Sequence, residues 1–412
     1  MGVRPGYKQT EAGVIPEDWG VVSLGQHLRR TPNYGINAAA VPFDSRFPTY
    51  LRITDITEEG RFAEATKVSV EHPAAAAYFL EPGDVVFART GASVGKSYRY
   101  DPNDGRLVFA GFLIRVSPDP ERLVPAYLAF FAQSRPYWDW VAVNSMRSGQ
   151  PGINGREYAC LPVPLPPTKA EQEAIAEALN DADAFIESLE QLLAKRRQLK
   201  QGAMQELLTG RKRLPGFSGD WEAKRLGDVA AMGSGGTPPS SVADYYDGDI
   251  PWVSIADMTS GGKVIMSSDR NLTHAGFANS AAQMFPIGTV LYAMYASLGE
   301  CSIAGIELCS SQAILGIRPG GSLNTEFLYY SLTSLKPIVK SMGQQGTQAN
   351  LNKGMVQDFR FRFPRLPEQA AIAAILSDMD AEIAALEAEL VKARQLKQGM
   401  MQELLTGKIR LI

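Results

Sequence analysis

The chain has little with which to do chemistry of its own. Its 412 residues include three cysteines (Cys160, Cys301, Cys309) and three histidines (His27, His72, His274), none in metal-ligand spacing. That is too few to build a zinc site or a histidine-based triad with any ease, and an odd cysteine count suits reduced thiols. No run of about 18 apolar residues occurs, which argues against a membrane-spanning helix. The opening residues MGVRPGYKQT lack the apolar core of a signal peptide, so a cytoplasmic protein is expected. Neither sign of charge dominates: Lys and Arg number 41, Asp and Glu 44, for a net charge of −3. A pI near 5.8 argues against a protein that coats nucleic acid non-specifically, though local basic patches are not excluded. What remains, 45% hydrophobic and 21% charged, is globular and long enough for two or three domains.

Two stretches, Pro166 to Gly210 and Pro364 to Gly407, are one helix written twice. From Arg197 to Leu214 and Arg394 to Leu411 the text differs only at Ala203/Met400, Arg211/Lys408 and Lys212/Ile409, and upstream the match continues at a constant offset of 197. Apolar residues fall at Ile175, Leu179, Ala182, Ile186, Leu189 and Leu193, and again at Ile372, Leu376, Met379, Ile383, Leu386 and Leu390. Steps of four and three make a coiled-coil seam, and each helix at about 1.5 Å per residue would be roughly 55 to 60 Å long. Thr168 with Glu171 reads as a capping box, Pro367 as a first helical position, and Gly210 and Gly407 as left-handed caps. The only stripe of equal length and spacing is the copy, so the helices are expected to pair with each other, antiparallel if the second returns to the first segment. The alternative packs each separately on its own domain. Acid gathers in the first half of each helix (Glu171, Glu173, Glu177, Asp181, Asp183, Glu187 in the first) and base in the second (Lys195, Arg196, Arg197, Lys200), a polarity that suits the helix dipole.

The segments ahead of the helices read as mixed α/β, with β-branched and aromatic runs broken by Gly and Pro. They are distant copies: Trp19, Leu24 and Gly25 align with Trp221, Leu226 and Gly227, GDVVFARTGASVG from Gly83 with GTVLYAMYASLG from Gly288, and Ile153-Asn154 with Leu351-Asn352. The fold expected is α+β, with pseudo-symmetric mixed α/β domains at 1–166 and 211–364 and long spacer helices at 167–210 and 365–412 pairing as an antiparallel coiled coil.

With those residues in view, the chain resembles a specificity subunit of a type I restriction-modification system along its whole length. The resemblance rests on GGTPPSSVADYYDGDIPWVSIADM (Gly235 to Met258), YLRITDI (Tyr50 to Ile56), GDVVFARTGASVGKS (Gly83 to Ser97), SSQAILGI (Ser310 to Ile317), GTQANLNKG (Gly346 to Gly354) and the two LKQGxMQELLTG helix ends. It implies a non-catalytic reader of a bipartite double-stranded DNA site, with one target-recognition domain for each half and the helices setting the spacing. It implies two methyltransferase (modification) subunits and restriction/translocase subunits as partners, with S-adenosylmethionine, ATP and Mg on those partners, none bound by this chain, and no membrane. The Asn-Pro-Pro-aromatic motif of adenine methyltransferases is absent, as are helicase and nuclease signatures. Two rival readings stay open, a coiled-coil adaptor without DNA readout and a solitary DNA-modifying enzyme.

Several polar groups are candidates for the DNA contact. GASVGKS (Gly91 to Ser97) suggests a phosphate-binding loop, but the required first glycine is Thr90, and Glu300 and Cys301 replace Lys96 and Ser97 in the copy. A turn presenting Arg89, Thr90, Ser93 and Lys96, with Tyr295 and Ser297 in the copy, is the better reading, against a purely structural turn. The loops ahead of the helices add Arg147, Ser148, Gln150 and Asn154, and Gln344, Gln345, Thr347, Gln348, Asn350, Asn352 and Lys353, rich in the amides that pair with adenine. Arg52 and Ser254 follow expected strands, where Asp55 and Asp257 suit capping equally well; Trp221 and Trp252 read as core.

Overall fold

The computed structural model describes residues 5–344 and 350–411, with backbone alone for 342–344. It forms two units, Met1–Glu190 with Ala388–Ile412, and Gln191–Glu387.

In the first unit β1 (Leu28–Tyr34), β2 (Val85–Ala88), β3 (Ser97–Arg99) and β4 (Leu113–Pro118) make an antiparallel sheet in the order β1-β4-β2-β3. β2 is buried at every position, because each face meets a different layer. Val85 and Phe87 pack with residues of α1 (Pro125–Phe131), α2 (Arg135–Asn144) and α3 (Gly155–Ala159). Val86 and Ala88, on the opposite side by strand alternation, pack with Leu51, Phe109 and Tyr98. A strand covered on both sides reads as a continuous apolar run. Leu51 and Phe109 belong to a second sheet, ordered Leu107–Phe109, Thr49–Leu51, Val68–Ser69, Val41–Pro42. The long helix α4 (Lys169–Leu207) begins in this unit.

The second unit repeats the plan. β5 (Ala230–Ser234), β6 (Val290–Ala293), β7 (Cys301–Ala304) and β8 (Ile314–Pro319) run in the order β5-β8-β6-β7, with the short strand Val264–Ile265 added beyond β7. Val290 and Tyr292 pack with Phe327 and Leu328 of α5 (Thr325–Gln344) and with Val356 of α6 (Lys353–Gln357), while Leu291 and Ala293 pack with Val253 and Phe285. The second long helix, α7 (Leu366–Leu404), starts here and ends in the first unit. Both long helices have 39 residues and are closed by glycines in left-handed conformation, Gly210 at φ 71° and Gly407 at φ 67°.

Each unit therefore holds the first half of one long helix and the second half of the other, and within each the two run antiparallel. In the first unit Lys397 pairs with Asp183 and Arg394 with Glu190, both at 2.7 Å. In the second, Arg197 pairs with Glu387 at 2.5 Å, and Lys200 with Asp380. The split of acid and base along each helix, which suits its own dipole, thus also matches an antiparallel neighbour. The expected capping box is also revised. Thr168 accepts from the Glu171 backbone N–H at 3.2 Å, but the buried Glu171 carboxylate turns instead to Arg410. Glu368 likewise takes Arg213 at 2.7 Å.

The expected seam divides in two. Ile175 and Leu179 lie in one core cluster with Trp19, Tyr127, Leu404 and Leu405, and Ile372 and Leu376 with Leu207, Leu226 and Phe327, so these positions join the globular cores. Ile186, Leu189, Leu193 and Leu390 are buried, and Ile383 and Leu386 half-buried, farther along the helices.

Candidate nucleic-acid interface

In the first unit, sites distant in sequence converge on the end of β2. Thr90 bridges to Gly152, Gly91 N–H donates to Pro151 O at 3.0 Å, and Ile153 N–H donates to Arg89 O at 2.9 Å. The turn between β2 and β3 thus meets the loop from Arg147 to Asn154, uniting Arg89, Thr90 and Gln150. This is an antiparallel hairpin turn, with no helix after it to complete a phosphate-binding loop. Two buried phenols brace it from below: Tyr137 donates to Gly95 O at 2.6 Å and Tyr158 to Ala88 O at 3.0 Å. Burial pushes both phenols up, keeping them neutral donors.

The second unit builds the same frame. Leu351 N–H donates to Met294 O at 3.0 Å as Ile153 does to Arg89, and Met294 N–H to Ala313 O at 2.9 Å as Arg89 does to Phe112 at 3.0 Å. Gly235 N–H to Ile314 O, 3.0 Å, repeats Gly35 to Leu113, 3.2 Å. Tyr295 and Ser297 stand half-buried on the turn, with Asn350 exposed next to Leu351. Gln345, Thr347, Gln348 and the side chain of Gln344 lie outside the described residues.

Other candidates are placed in structural roles. Asn154 caps α3, its side-chain oxygen accepting from Arg156 and Glu157 N–H, and Asn352 caps α6 by accepting from Met355 N–H at 2.9 Å. Arg52 grips buried Asp55 at 2.7 Å, and Ser254 forms a capping box with buried Asp257, so the capping reading of both aspartates holds. At Asp257 burial works to raise the carboxyl, but hydrogen bonds from Ser254 and from the Asp269 backbone outweigh it and hold it below the ordinary value. Lys96 is paired with Glu58 and Arg147 with Glu157, each at 2.5 Å, while Ser93 is half-buried in the turn and Ser148 and Lys353 are exposed. Trp252 is buried, donating to Gly236 O at 2.9 Å, and Trp221 is partly buried against the second core.

Two aromatic side chains that edge the first unit's frame had no signal in the sequence. Phe112 is 58% and Tyr34 41% exposed. Arg89 lies with its guanidinium carbon 4.8 Å from the Tyr34 ring centroid and donates to Gly111 O at 3.4 Å. Phe112 stands inside an apolar run that reads as core. In the second unit Gln312 and Ala313 stand at the positions of Gly111 and Phe112, so the frame needs no large apolar side chain there. Exposed aromatics beside an arginine suit base stacking and base-edge recognition. Among the described residues, no group of three or more His, Cys, Asp or Glu is arranged to hold a metal, and no helix is long and apolar enough to cross a membrane.

The profile of the type I restriction modification DNA specificity domain matches this chain twice, at residues 16–196 and 218–393. The chain belongs to the type I restriction-modification specificity family. It is 25% identical, over 98% of its length and 96% of the relative's, to a protein of Methanocaldococcus jannaschii provisionally named the type I restriction enzyme MjaX specificity subunit. To the EcoR124I/EcoR124II specificity subunit of Escherichia coli it is 22% identical, over 58% of this chain and 60% of that one. In fold it is similar to the S subunit of a type I restriction-modification system from M. genitalium, with a TM-score of 0.60 over 98% of each chain at 14% identity. The two matched segments each contain one of the repeated frames, so the frames belong to the recognition domains of a DNA specificity subunit, whose own role is non-catalytic.

Proposed function

We propose that this specificity subunit reads a bipartite DNA site, one half with each unit, and brings a methyltransferase subunit to each half for N6-adenine methylation. Restriction/translocase subunits join the same assembly. In this reading S-adenosylmethionine, ATP and Mg belong to the partners, and this chain supplies sequence recognition. The observation that carries it is the repetition of one hydrogen-bonded frame in two units whose exposed side chains differ. A conserved frame with altered rims is what two readers of unlike half-sites require. Exchange of residues 1–165 for those of a relative tests it. Methylome sequencing is expected to show one half-site replaced and the other retained. Changes in both halves would contradict the assignment of one half to each unit.

A further inference from the structure

We propose that Arg89 reads a guanine in the half-site contacted by the first unit, and that the second unit reads its half without an arginine at the corresponding place. The inference rests on the proposed bipartite reading and adds to it which residue specifies a base. Because the hydrogen bonds around Arg89 and Met294 repeat, the backbones at these positions correspond and their side chains can be compared directly. Met294 is turned into the core, 3% exposed, whereas Arg89 comes to the surface over Tyr34.

Three features favour Arg89 over Lys96 and Arg147 at this rim. Lys96 and Arg147 are each offset by a carboxylate at 2.5 Å, while among the described residues Arg89 has no acidic partner. Its guanidinium lies against the Tyr34 ring and donates to the Gly111 carbonyl at 3.4 Å, two contacts that restrict its orientation before DNA arrives. A phosphate contact needs only positive charge, whereas an oriented guanidinium fork matches the paired acceptors O6 and N7 of guanine, so the restricted orientation favours a base. Finally, Phe112 at 58% exposure stands on the same rim, an apolar surface suited to cover by DNA.

The test is co-expression of the full chain, wild type, Arg89→Met or Arg89→Lys, with its methyltransferase subunit, followed by sequencing of N6-methyladenine. Arg89→Met is expected to relax one guanine position in one half-site, lowering preference there by about tenfold to a hundredfold, with the other half unchanged. Arg89→Lys keeps the charge and can still donate to O6 and N7 but lacks the planar fork, and is expected to weaken the preference less than Arg89→Met does. Arg89→Met retaining the preference in full, an unchanged motif with uniformly slower methylation, relaxation in both halves, or wild-type half-sites without guanine would each overturn the proposal. Thermal melting of each purified variant identifies a misfolded one, in which case the other decides. A wild-type chain that confers no bipartite motif would instead defeat the broader reading.

Discussion

Arg410, just beyond α7, is held against the start of α4. It donates to both oxygens of Glu171, which is 4% exposed, and pairs with Asp18 at 3.0 Å, so its own proton is held more tightly than in water, chiefly through the bond to Glu171. Removing it strands a buried carboxylate. Arg410→Ala is expected to cost about 3 kcal/mol in urea unfolding, and combining Arg410→Met with Glu171→Leu to recover much of that, because a buried pair is most costly when half of it remains. A loss under about 1 kcal/mol would show that water replaces the guanidinium freely. Gly407 offers a second test. A Cβ there would stand 2.5 Å from Pro16 Cγ, whereas at Gly210 the nearest atom is 3.2 Å away on Trp221. Both glycines have positive φ, so alanine at either costs about 1 to 2 kcal/mol from backbone strain alone. Thermal melts are expected to show Gly407→Ala as the more damaging, since a proline ring and the neighbouring Trp19 cannot move aside easily.

At the scale of elements, the N-caps decide between structure and readout. Asn154→Ala and Asn352→Ala are each expected to lower stability by about 1 kcal/mol and leave the methylated motif as it was. A changed base preference would restore the direct contact that the sequence suggested. Asparagine serves both capping and adenine pairing, so residue type alone could not separate them; the bonds from Met355 N–H and Glu157 N–H show the capping role. The helices were readable because their period and near-identity are local signals. The cross-helix pairing of their charges was not, because the partner of Asp183 is Lys397 and that of Asp380 is Lys200, each about half a chain away. Tyr34 and Phe112 escaped notice for the opposite reason, since exposed aromatics at strand ends have the same local text as buried ones. The convergence of the two polar loops in each unit was legible only as parallel placement, and the hydrogen bonds from Ile153 and Leu351 turn that into contact.

For the whole molecule, the connection between recognition units is covalent and countable. Each 39-residue helix begins in one unit and ends in the other. Four residues inserted into both, just ahead of Gln205 and Gln402, add about 6 Å of helix, and the unread gap of the target is expected to lengthen by about two base pairs. An unchanged gap would show that helix length does not set it. In this reading the chain confers sequence on a methyltransferase that lacks it. The most direct measurement is single-molecule sequencing of N6-methyladenine in genomic DNA from cells expressing the methyltransferase subunit with and without this chain. A bipartite motif, methylated in both halves, is expected only when the chain is present. Methylation at the same sites without the chain, or no new motif with it, would contradict the account.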